Sequence, residues 1–357
     1  MTEGQTLSST SGPGAPVRGE RRVVIVVGPG RSGTSTVAGA LAKSGLEVPG
    51  RAISGNPTNP SGFFEPRWVV DFHKELLERS RVATMDTSPD AVDRAAETAQ
   101  APSVRTALRE WLAERLEEQG RLVVKDPRTV WFTDLWVETA RELGVEPGFV
   151  TMLRHPAEVS ASREKYYSKG ERGKSRADDI RRIAGWTNVA LMAEQVTKGS
   201  PRSFVRYTDL ITDWRTVLAT LGRDLDLTFD PGVDTSPHPV DDFIDPSLHR
   251  VHVDWEDIDV PGALRDVAED AWRTLAGLTD GEDREAAEAR IDLVRSSYQE
   301  LVDDALALNG HAIRRLEAMA RRQARRQLRR EQRTETPDVA SGPRRPRLWR
   351  RLTGNTR

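Results

Sequence analysis

The sequence predicts an α/β fold, in which a doubly wound parallel sheet is flanked by helices and followed by a long C-terminal helix. The main evidence is that four apolar runs, each typical of a buried strand, alternate with segments of helical periodicity. The runs are residues 23–27, 122–124, 149–153 and 203–207. Several of them end beside glycine-rich or charged residues, as expected where ligands bind at the carboxyl ends of parallel strands.

The first strand leads into the segment that dominates the prediction of function. Val-Val-Ile-Val-Val at residues 23–27 shows no polar alternation, which is typical of a strand buried on both faces. A loop with Gly28 and Gly33 follows, and a helical pattern begins at Val37. The N–H groups of such a loop lie at the positive end of the helix dipole and bind anions, phosphate above all. We therefore expect a phosphate site in this loop.

The other elements are predicted from apolar residues that recur every three or four positions. Helices are expected at residues 37–43, 67–79, 89–119 with a break at Pro102, 130–143 and 177–196, and from residues 156 and 208 onward. Turn-forming residues at 49–62 predict a long loop near the phosphate site, and loops of this length are commonly functional. Residues 230–262, rich in Pro and Asp, are expected to wrap around the domain.

Composition divides the chain into four parts. Residues 1–19 are predicted to be disordered, and residues 20–280 to form the folded domain. Residues 283–333 are predicted to form a long helical or coiled-coil segment, and residues 334–357 a basic disordered tail. The heptad seam consists of Ile291, Val294, Tyr298, Leu301, Ala305, Leu308 and Ala312. Such a seam predicts a homo-oligomer or a partner helix.

The charge distribution argues against a nucleic-acid partner. The net charge is −2, but residues 311–357 hold 15 Arg and 4 acidic residues, a net charge of +11. The rest of the chain therefore carries about −13, so an acidic domain is followed by a basic tail. Leu348, Trp349 and Leu352 lie among the arginines, a pattern that is compatible with weak contact to an anionic membrane.

Two absences in the sequence narrow the class of protein. The chain has no cysteine, which excludes disulfides, thiolate metal ligands and cysteine nucleophiles. No apolar segment resembles a signal peptide or a membrane span. A cytoplasmic protein, at most peripheral to a membrane, is therefore expected.

The loop nearly fits the nucleotide-binding P-loop pattern G-x-x-x-x-G-K-[ST]. The departure is informative, because the position of the pattern's Lys is occupied by Thr34, while a cation stands three residues earlier, at Arg31. In a kinase or NTPase that Lys binds the β- and γ-phosphates. A kinase is therefore the weaker alternative, and a non-catalytic scaffold of the same fold is a further one.

Residues 30–36 resemble the 5′-phosphosulfate loop of sulfotransferases that use PAPS (3′-phosphoadenosine 5′-phosphosulfate). The Arg-Ser-Gly-Thr-Ser form is similar to the carbohydrate and tyrosyl-protein branches of that family. The resemblance implies a P-loop NTPase-like fold and a PAPS co-substrate, with no metal. It assigns binding of the 5′-phosphosulfate to Gly30, Arg31, Ser32, Gly33, Thr34, Ser35 and Thr36.

Two further segments resemble the same sulfotransferase family, so that the resemblance extends to about residue 225. Arg154 follows a predicted strand and Ser162 lies eight residues later, as do the Arg and Ser that bind the 3′-phosphate in the family. The segment Arg-Tyr-Thr-Asp-Leu resembles the family's Arg-Tyr-Glu-Asp-Leu, which implies that Tyr207 lies near the adenine. The family's late Arg-Lys-Gly segment is not evident, and Arg250 is a candidate replacement.

The chemistry of sulfuryl transfer requires cations at the leaving group and a base at the acceptor hydroxyl. Arg31 and Lys125 are the candidate cations. The candidate bases are Glu65, then His73, then Asp126. Each base has a structural alternative: Glu65 as a charge at a helix N-terminus, His73 as a buried histidine, and Asp126 as a partner of Arg128.

The resemblance implies an enzyme that moves the sulfuryl group of PAPS to a hydroxyl and releases adenosine 3′,5′-bisphosphate. The expected acceptor is a glycan, a glycolipid or another small molecule. Trp68, Trp131 and Trp136 are candidates for stacking on sugar rings, although packing in the core is the more common role of such residues.

Overall fold

A computed structural model describes residues 21–56, 59, 61–167, 175–245, 253–280 and 283–335. The side chains of residues 165–167 and 328–335 are not described. The predicted N-terminal segment 1–19, the tail beyond residue 335, and Arg250 lie outside the described residues, so the predictions made for them stay predictions.

The core of the structure is a sheet of four parallel strands. In chain order the strands are β1 (Arg22–Val27), β2 (Arg121–Lys125), β3 (Gly148–Leu153) and β4 (Arg202–Arg206). Their spatial order is β2-β1-β3-β4. After β1 the chain forms β2 on one side of β1 and then β3 on the other side. The connections therefore diverge at the carboxyl end of β1. Ligands bind at this position in open α/β sheets.

Helices cover both faces of the sheet, which confirms the predicted α/β class. They are α1 (Thr34–Lys43), α2 (Arg67–Ser80), α3 (Ala91–Ala99), α4 (Pro102–Gln119), α5 (Thr133–Glu142), α6 (Pro156–Tyr167), α7 (Arg176–Val196), α8 (Tyr207–Thr212), α9 (Trp214–Asp224), α10 (Gly262–Gly277) and α11 (Arg284–Glu335). Short 3₁₀ turns lie at Thr129–Phe132 and Trp255–Asp257. Pro102 begins α4, where its missing N–H costs nothing.

Two elements differ from the prediction. Tyr207 begins α8 instead of ending β4. Helix α10 was not predicted, although Leu264, Ala268, Ala271 and Leu275 recur at helical spacing and are buried. Two of these four positions hold alanine, which carries a weak apolar signal.

Alternation along β1 divides the apolar core between the two faces of the sheet. Val23, Ile25 and Val27 belong to the cluster that contains α2 to α5, whereas Val24 and Val26 belong to the cluster with α1, α8 and α9. All five side chains are buried, as the uninterrupted apolar run predicts.

The chain separates into two units, residues 1–302 and 303–357. The first half of the predicted heptad seam lies in the first unit, where Ile291, Val294 and Tyr298 are buried against α7 and α10. The Tyr298 hydroxyl lies 2.7 Å from the carbonyl oxygen of Thr87 and 3.0 Å from that of Ala184, and its one hydrogen is shared between them. The predicted long C-terminal helix is present as α11, and this half of its seam packs into its own domain.

Candidate active site

Two glycines fix the course of the loop that follows β1. Gly28 has φ +123°, and a Cβ atom there would lie 2.6 Å from the carbonyl oxygen of Met152 in β3. Gly33 has φ +94°, and a Cβ atom there would lie 2.4 Å from Cδ2 of Tyr207. Both positions therefore require glycine, for backbone conformation and for space. The loop is held tightly between β3 and the start of α8.

The end of this loop has the properties of an anion site. Gly33 is the N-cap of α1, and no side chain in the described part of the chain caps that helix. The first N–H groups of a helix have no partner within it and attract anions. The Ser32 hydroxyl is buried and has no hydrogen-bond partner among the described residues. A buried polar group without a partner is costly, so this arrangement fits a phosphate that supplies the missing bonds.

The structure brings the predicted 3′-phosphate residues to the same place. The Nε atom of Arg31 donates a hydrogen bond to Ser162 Oγ over 3.1 Å. Arg154 lies on the other side of Arg31, with its Nη1 atom 3.5 Å from the Arg31 carbonyl oxygen. The guanidinium of Arg154 also lies over the ring of Tyr207, 4.7 Å from its centroid. Four residues from three predicted motifs thus form one cluster.

Sequence reasoning missed Glu158, which lies between the predicted pair on α6. Its Oε2 atom accepts a 2.7 Å hydrogen bond from Nε of Arg154. The two residues are one helical turn apart, a spacing that favours such ion pairs. Glu158 therefore orients the Arg154 guanidinium beside the anion site.

A second cation reaches the loop from β2. Lys125 Nζ lies 3.2 Å from Ser35 Oγ in the first turn of α1, and 2.6 Å from Glu65 Oε1. The side chains of Lys125 and Glu65 are only 3% and 12% exposed. Of the candidate bases, Glu65 is thus the one placed beside a candidate cation. Phe64 fixes its position from the preceding residue, with a left-handed φ of +54° that is unusual for an aromatic side chain.

The predicted loop at residues 49–62 does lie against the phosphate loop. Asn59 Nδ2 donates to the Gly62 carbonyl over 2.6 Å and approaches Ser35 Oγ at 3.3 Å. Together with Thr36, Tyr207 and Phe243, these residues line a small cleft of about 60 Å³. Asn59 and Phe243 were not predicted, because no local pattern marks a side chain that arrives from a distant loop.

The geometry of His73 favours a structural role. Its Nδ1 atom lies 3.0 Å from Asp126 Oδ2, and its Nε2 atom accepts a 2.9 Å hydrogen bond from the indole N–H of Trp136. An indole can only donate, so Nε2 carries no proton and Nδ1–H points to Asp126. The ring is completely buried, which leaves no lone pair to accept a proton from a substrate.

Asp126 is also engaged in structural bonds. It accepts hydrogen bonds from the backbone N–H of Arg128 at 3.1 Å and from its guanidinium at 2.7 Å. Burial raises the pKa of Asp126, but the hydrogen bond from His73 and the charge of Arg128 outweigh burial and hold it below its ordinary value. The predicted pairing with Arg128 is therefore confirmed.

The tryptophan side chains pack inside the domain. Trp131 and Trp136 are fully buried, and Trp68 stacks on Phe72 and Trp111 with ring centroids 4.7 Å apart in both pairs. Trp131 and Trp136 are therefore core residues, and Trp68 is a partly buried residue that packs against the core.

Comparison with known proteins agrees with this geometry. The family model described as Sulfotransferase family matches residues 23–231, more than half of the chain. The fold and the site define an α/β protein with a P-loop-like turn, and the chain belongs to the sulfotransferase family. No curated protein matched the chain.

Three solved structures are similar to this chain, all with low TM-scores. The sulfotransferase domain of the Synechococcus PCC 7002 olefin synthase is 18% identical, with TM-score 0.41, and the match covers 73% of this chain and 97% of that one. The sulfotransferase domain from the curacin biosynthetic pathway is 17% identical, with TM-score 0.38 and coverage of 72% and 98%. Sulfotransferase STF1 from Mycobacterium tuberculosis H37Rv is 15% identical, with TM-score 0.37 and coverage of 73% and 78%.

The described ranges show neither a metal cluster nor a membrane-spanning helix. No group of three or more His, Asp or Glu side chains there could hold a metal ion. None of the helices described is both long and apolar enough to cross a membrane.

Proposed function

We propose that this protein is a PAPS-dependent sulfotransferase that modifies a hydroxyl of a glycan, a glycolipid or another small molecule. One observation carries the proposal: two cations flank the loop that ends at the uncapped N-terminus of α1, Arg31 within the loop and bonded to Ser162, and Lys125 with its Nζ 3.2 Å from Ser35 Oγ. Leaving-group charge in sulfuryl transfer develops on the 5′-phosphate, so cations at both sides of its binding loop are suitably placed to neutralise it.

The donor-binding residues have distinct roles in this proposal. The amides and hydroxyls of residues 32–36 bind the 5′-phosphate, with Ser32 supplying its unpartnered hydroxyl. Arg154 and Ser162 bind the 3′-phosphate. Ser162 Oγ already accepts a hydrogen bond from Arg31, so the Ser162 hydroxyl is able to donate its own hydrogen to an anion. Tyr207, packed on Gly33, borders the cleft that we assign to the adenine.

PAPS supplies the sulfuryl group and is released as adenosine 3′,5′-bisphosphate. Glu65 accepts the proton of the acceptor hydroxyl as that oxygen forms its bond to sulfur. The bond between sulfur and the bridging oxygen breaks, and its electron pair stays on the 5′-phosphate. Lys125 is held by Glu65 in the resting site, so proton transfer to Glu65 weakens that ion pair and frees the Lys125 ammonium to stabilise the leaving oxygen.

A nucleotide kinase is the competing function, and ligand binding separates the two. Adenosine 3′,5′-bisphosphate is expected to raise the melting temperature of the full-length protein, and ATP–Mg²⁺ is not, because Thr34 replaces the Lys that binds the β- and γ-phosphates. Stabilisation by ATP–Mg²⁺ without stabilisation by the bisphosphate would refute the proposal.

A single variant tests the assignment of Ser162 to the 3′-phosphate. Ser162→Ala is expected to weaken binding of adenosine 3′,5′-bisphosphate about tenfold or more, because a hydrogen bond to a charged group is lost. Binding of adenosine 5′-monophosphate, which lacks the 3′-phosphate, should change much less. Ser44→Ala is the matched control, since this buried hydroxyl donates only to the Ala40 carbonyl at the far end of α1. Equal losses for both nucleotides would contradict the assignment.

A further inference from the structure

A second, larger cleft opens on the other side of α6. It has a volume of about 370 Å³, within the range of small-molecule sites. Its walls come from the connection between α2 and α3, from α6 and from the first turns of α7. The lining residues are Ala83, Thr84, Met85, Arg163, Asp178, Arg181 and Arg182.

This cleft adjoins the phosphate loop. A Cβ atom built on Gly30 would lie 3.5 Å from Nη1 of Arg163, so that guanidinium rests directly on the loop backbone. The preceding residue, Ser162, contacts the Arg31 side chain. A molecule in the cleft therefore lies one side chain away from the end of the donor site that we assign to the 3′-phosphate.

The charged groups of the cleft are predominantly positive. Three arginines line it, against one carboxylate, that of Asp178, which is paired with Arg181. Arg182 is fixed from behind by Ser160 Oγ at 2.9 Å and Asp179 Oδ1 at 2.6 Å. Counted over the described lining residues and Asp179, the cleft has three positive and two negative side chains, in a chain whose part before residue 311 carries about −13.

The opposite wall is held in place by hydrogen bonds. Trp131 Nε1 donates to the Thr84 carbonyl over 3.3 Å. Asn188 Nδ2 donates to the carbonyls of Asp86 and Ser88, both over 2.9 Å. The arginines thus face a rigid surface, and a preformed site loses less entropy on binding than a mobile one.

We infer that the acceptor is an extended anionic molecule, whose carboxylate, phosphate or sulfate group binds in this arginine-lined cleft while its hydroxyl reaches past the phosphate loop to Glu65. The inference rests on the proposed function and narrows its substrate class. Guanidinium groups bind these anions with two parallel hydrogen bonds, which fixes the orientation of the bound molecule.

The test uses the full-length protein, ³⁵S-labelled PAPS and metabolites from the source cell. The metabolites are separated by anion exchange into neutral and anionic fractions before the reaction, because every product gains a negative sulfate. We expect transfer into the anionic fraction. Phosphatase treatment or amidation of carboxylates before the reaction then shows which anion is recognised.

Two variants link the result to the cleft. Arg181→Ala is expected to lower transfer to the anionic fraction about tenfold, without weakening binding of adenosine 3′,5′-bisphosphate. Arg176→Ala is the matched control, because it is an exposed arginine of α7 outside the cleft that pairs with Asp259. It should leave transfer unchanged.

The possible results distinguish failure of the anionic acceptor from failure of the sulfotransferase function. Transfer into the neutral fraction at equal or higher efficiency, or an Arg181→Ala variant with normal transfer, overturns the anionic acceptor and leaves the sulfotransferase intact. Failure of adenosine 3′,5′-bisphosphate to bind, with no transfer into either fraction, overturns both.

An independent observation concerns the second unit, where α11 exposes a line of apolar side chains. Leu308, Leu316 and Met319 are 86%, 65% and 56% exposed. With Ala305 and Ala312 they form a single stripe, which we call the distal stripe. Its spacing is 3, 4, 4 and 3 residues, which is symmetric about Ala312. A helix with such a stripe is stabilised by burying it against another helix.

Charge decides which partner and which orientation suit the distal stripe. Asp303 and Asp304 precede it, whereas residues 314–330 contain eight arginines and one acidic residue. Two parallel copies would place arginines beside arginines. Two antiparallel copies centred on Ala312 match Leu308 with Leu316 and Ala305 with Met319, and bring Asp304 near Arg322. These two residues are 18 positions apart and therefore lie on the same side of the helix.

We propose that the second unit pairs with a second copy of this chain through an antiparallel contact between the distal stripes. The natural sequence has no cysteine, so single thiols report the geometry. Ala312→Cys is expected to form a disulfide-linked dimer on oxidation, because position 312 meets itself at the symmetry axis. Met319→Cys should not, because it meets position 305 of the other copy.

Sedimentation of the unmodified chain supplies the complementary measurement. A dimer is expected, weakened by Arg322→Glu and restored when Asp304→Arg is added. A monomer at all concentrations, with no linkage through position 312, would overturn self-association. Equal linkage through positions 312 and 319 would overturn the antiparallel orientation.

Discussion

Replacing Lys125 with methionine is expected to destabilise the domain, because Glu65 would keep a negative charge in a nearly dry site. Breaking a buried ion pair from one side costs about 3–5 kcal/mol. Glu65 retains 12% exposure, so some solvent screens its charge, and we expect the lower end of that range, about 3 kcal/mol. At roughly 2–4 °C per kcal/mol, the melting temperature should fall by about 6–12 °C.

The double variant separates stability from catalysis. Adding Glu65→Gln to Lys125→Met removes both charges and should restore most of the lost stability. Activity should not recover, because the double variant lacks both the cation at the leaving group and the proposed base. Each single change is expected to lower kcat by roughly 10²-fold or more.

The assays are urea denaturation of the single and double variants and transfer of labelled sulfate under saturating donor. Two results would refute the reasoning. A Lys125→Met variant as stable as the parent would mean that Glu65 is solvated or protonated in the folded state. A double variant that regains activity with its stability would mean that the pair only supports the fold.

Three further predictions concern neighbouring residues. Gly33→Ala should abolish stabilisation by adenosine 3′,5′-bisphosphate, because its Cβ would lie 2.4 Å from the Tyr207 ring; normal binding in calorimetry would contradict this. His73→Leu should lower stability by about 2–4 kcal/mol through lost bonds to Asp126 and Trp136, with kcat within about threefold of the parent; a 10²-fold loss of kcat in the folded variant would instead identify a base. Since the pKa of Asp126 is lower in the folded than in the unfolded chain, its stabilisation is complete above about pH 4 and is lost as pH falls further. Asp126→Asn should therefore make the melting temperature depend less on pH in this acid range. An unchanged slope of melting temperature against pH would contradict this role of Asp126.

The strands and the phosphate loop could be predicted from the sequence because their signals are local. A run such as residues 23–27 reports burial on both faces, and Gly28 and Gly33 report a turn that admits no side chain. Arg154 and Ser162 were identified by resemblance to the sulfotransferase family, and their proximity follows because they lie on adjoining elements. These features depend on backbone conformation and helical period, which a short stretch of sequence specifies.

The sequence also determined which residues compete for the role of base, but not which of them is available. Glu65, His73 and Asp126 all have side chains that can act as a general base. Only the tertiary structure shows that both ring nitrogens of His73 are occupied, that Asp126 is bonded to Arg128, and that Glu65 meets Lys125. The partners of a side chain come from distant segments, and no local pattern encodes them.

The same reason explains the two largest revisions. The heptad period of α11 is real, but tertiary packing decides that Tyr298 enters its own domain while Leu308 remains exposed. The arginine-lined cleft joins residues 83–85 to Arg163, Asp178, Arg181 and Arg182, which periodicity cannot connect. Local conformation and burial pattern were thus determined by the sequence alone, whereas the pairing of charges across the fold, on which the chemistry depends, was decided only when the chain closed on itself.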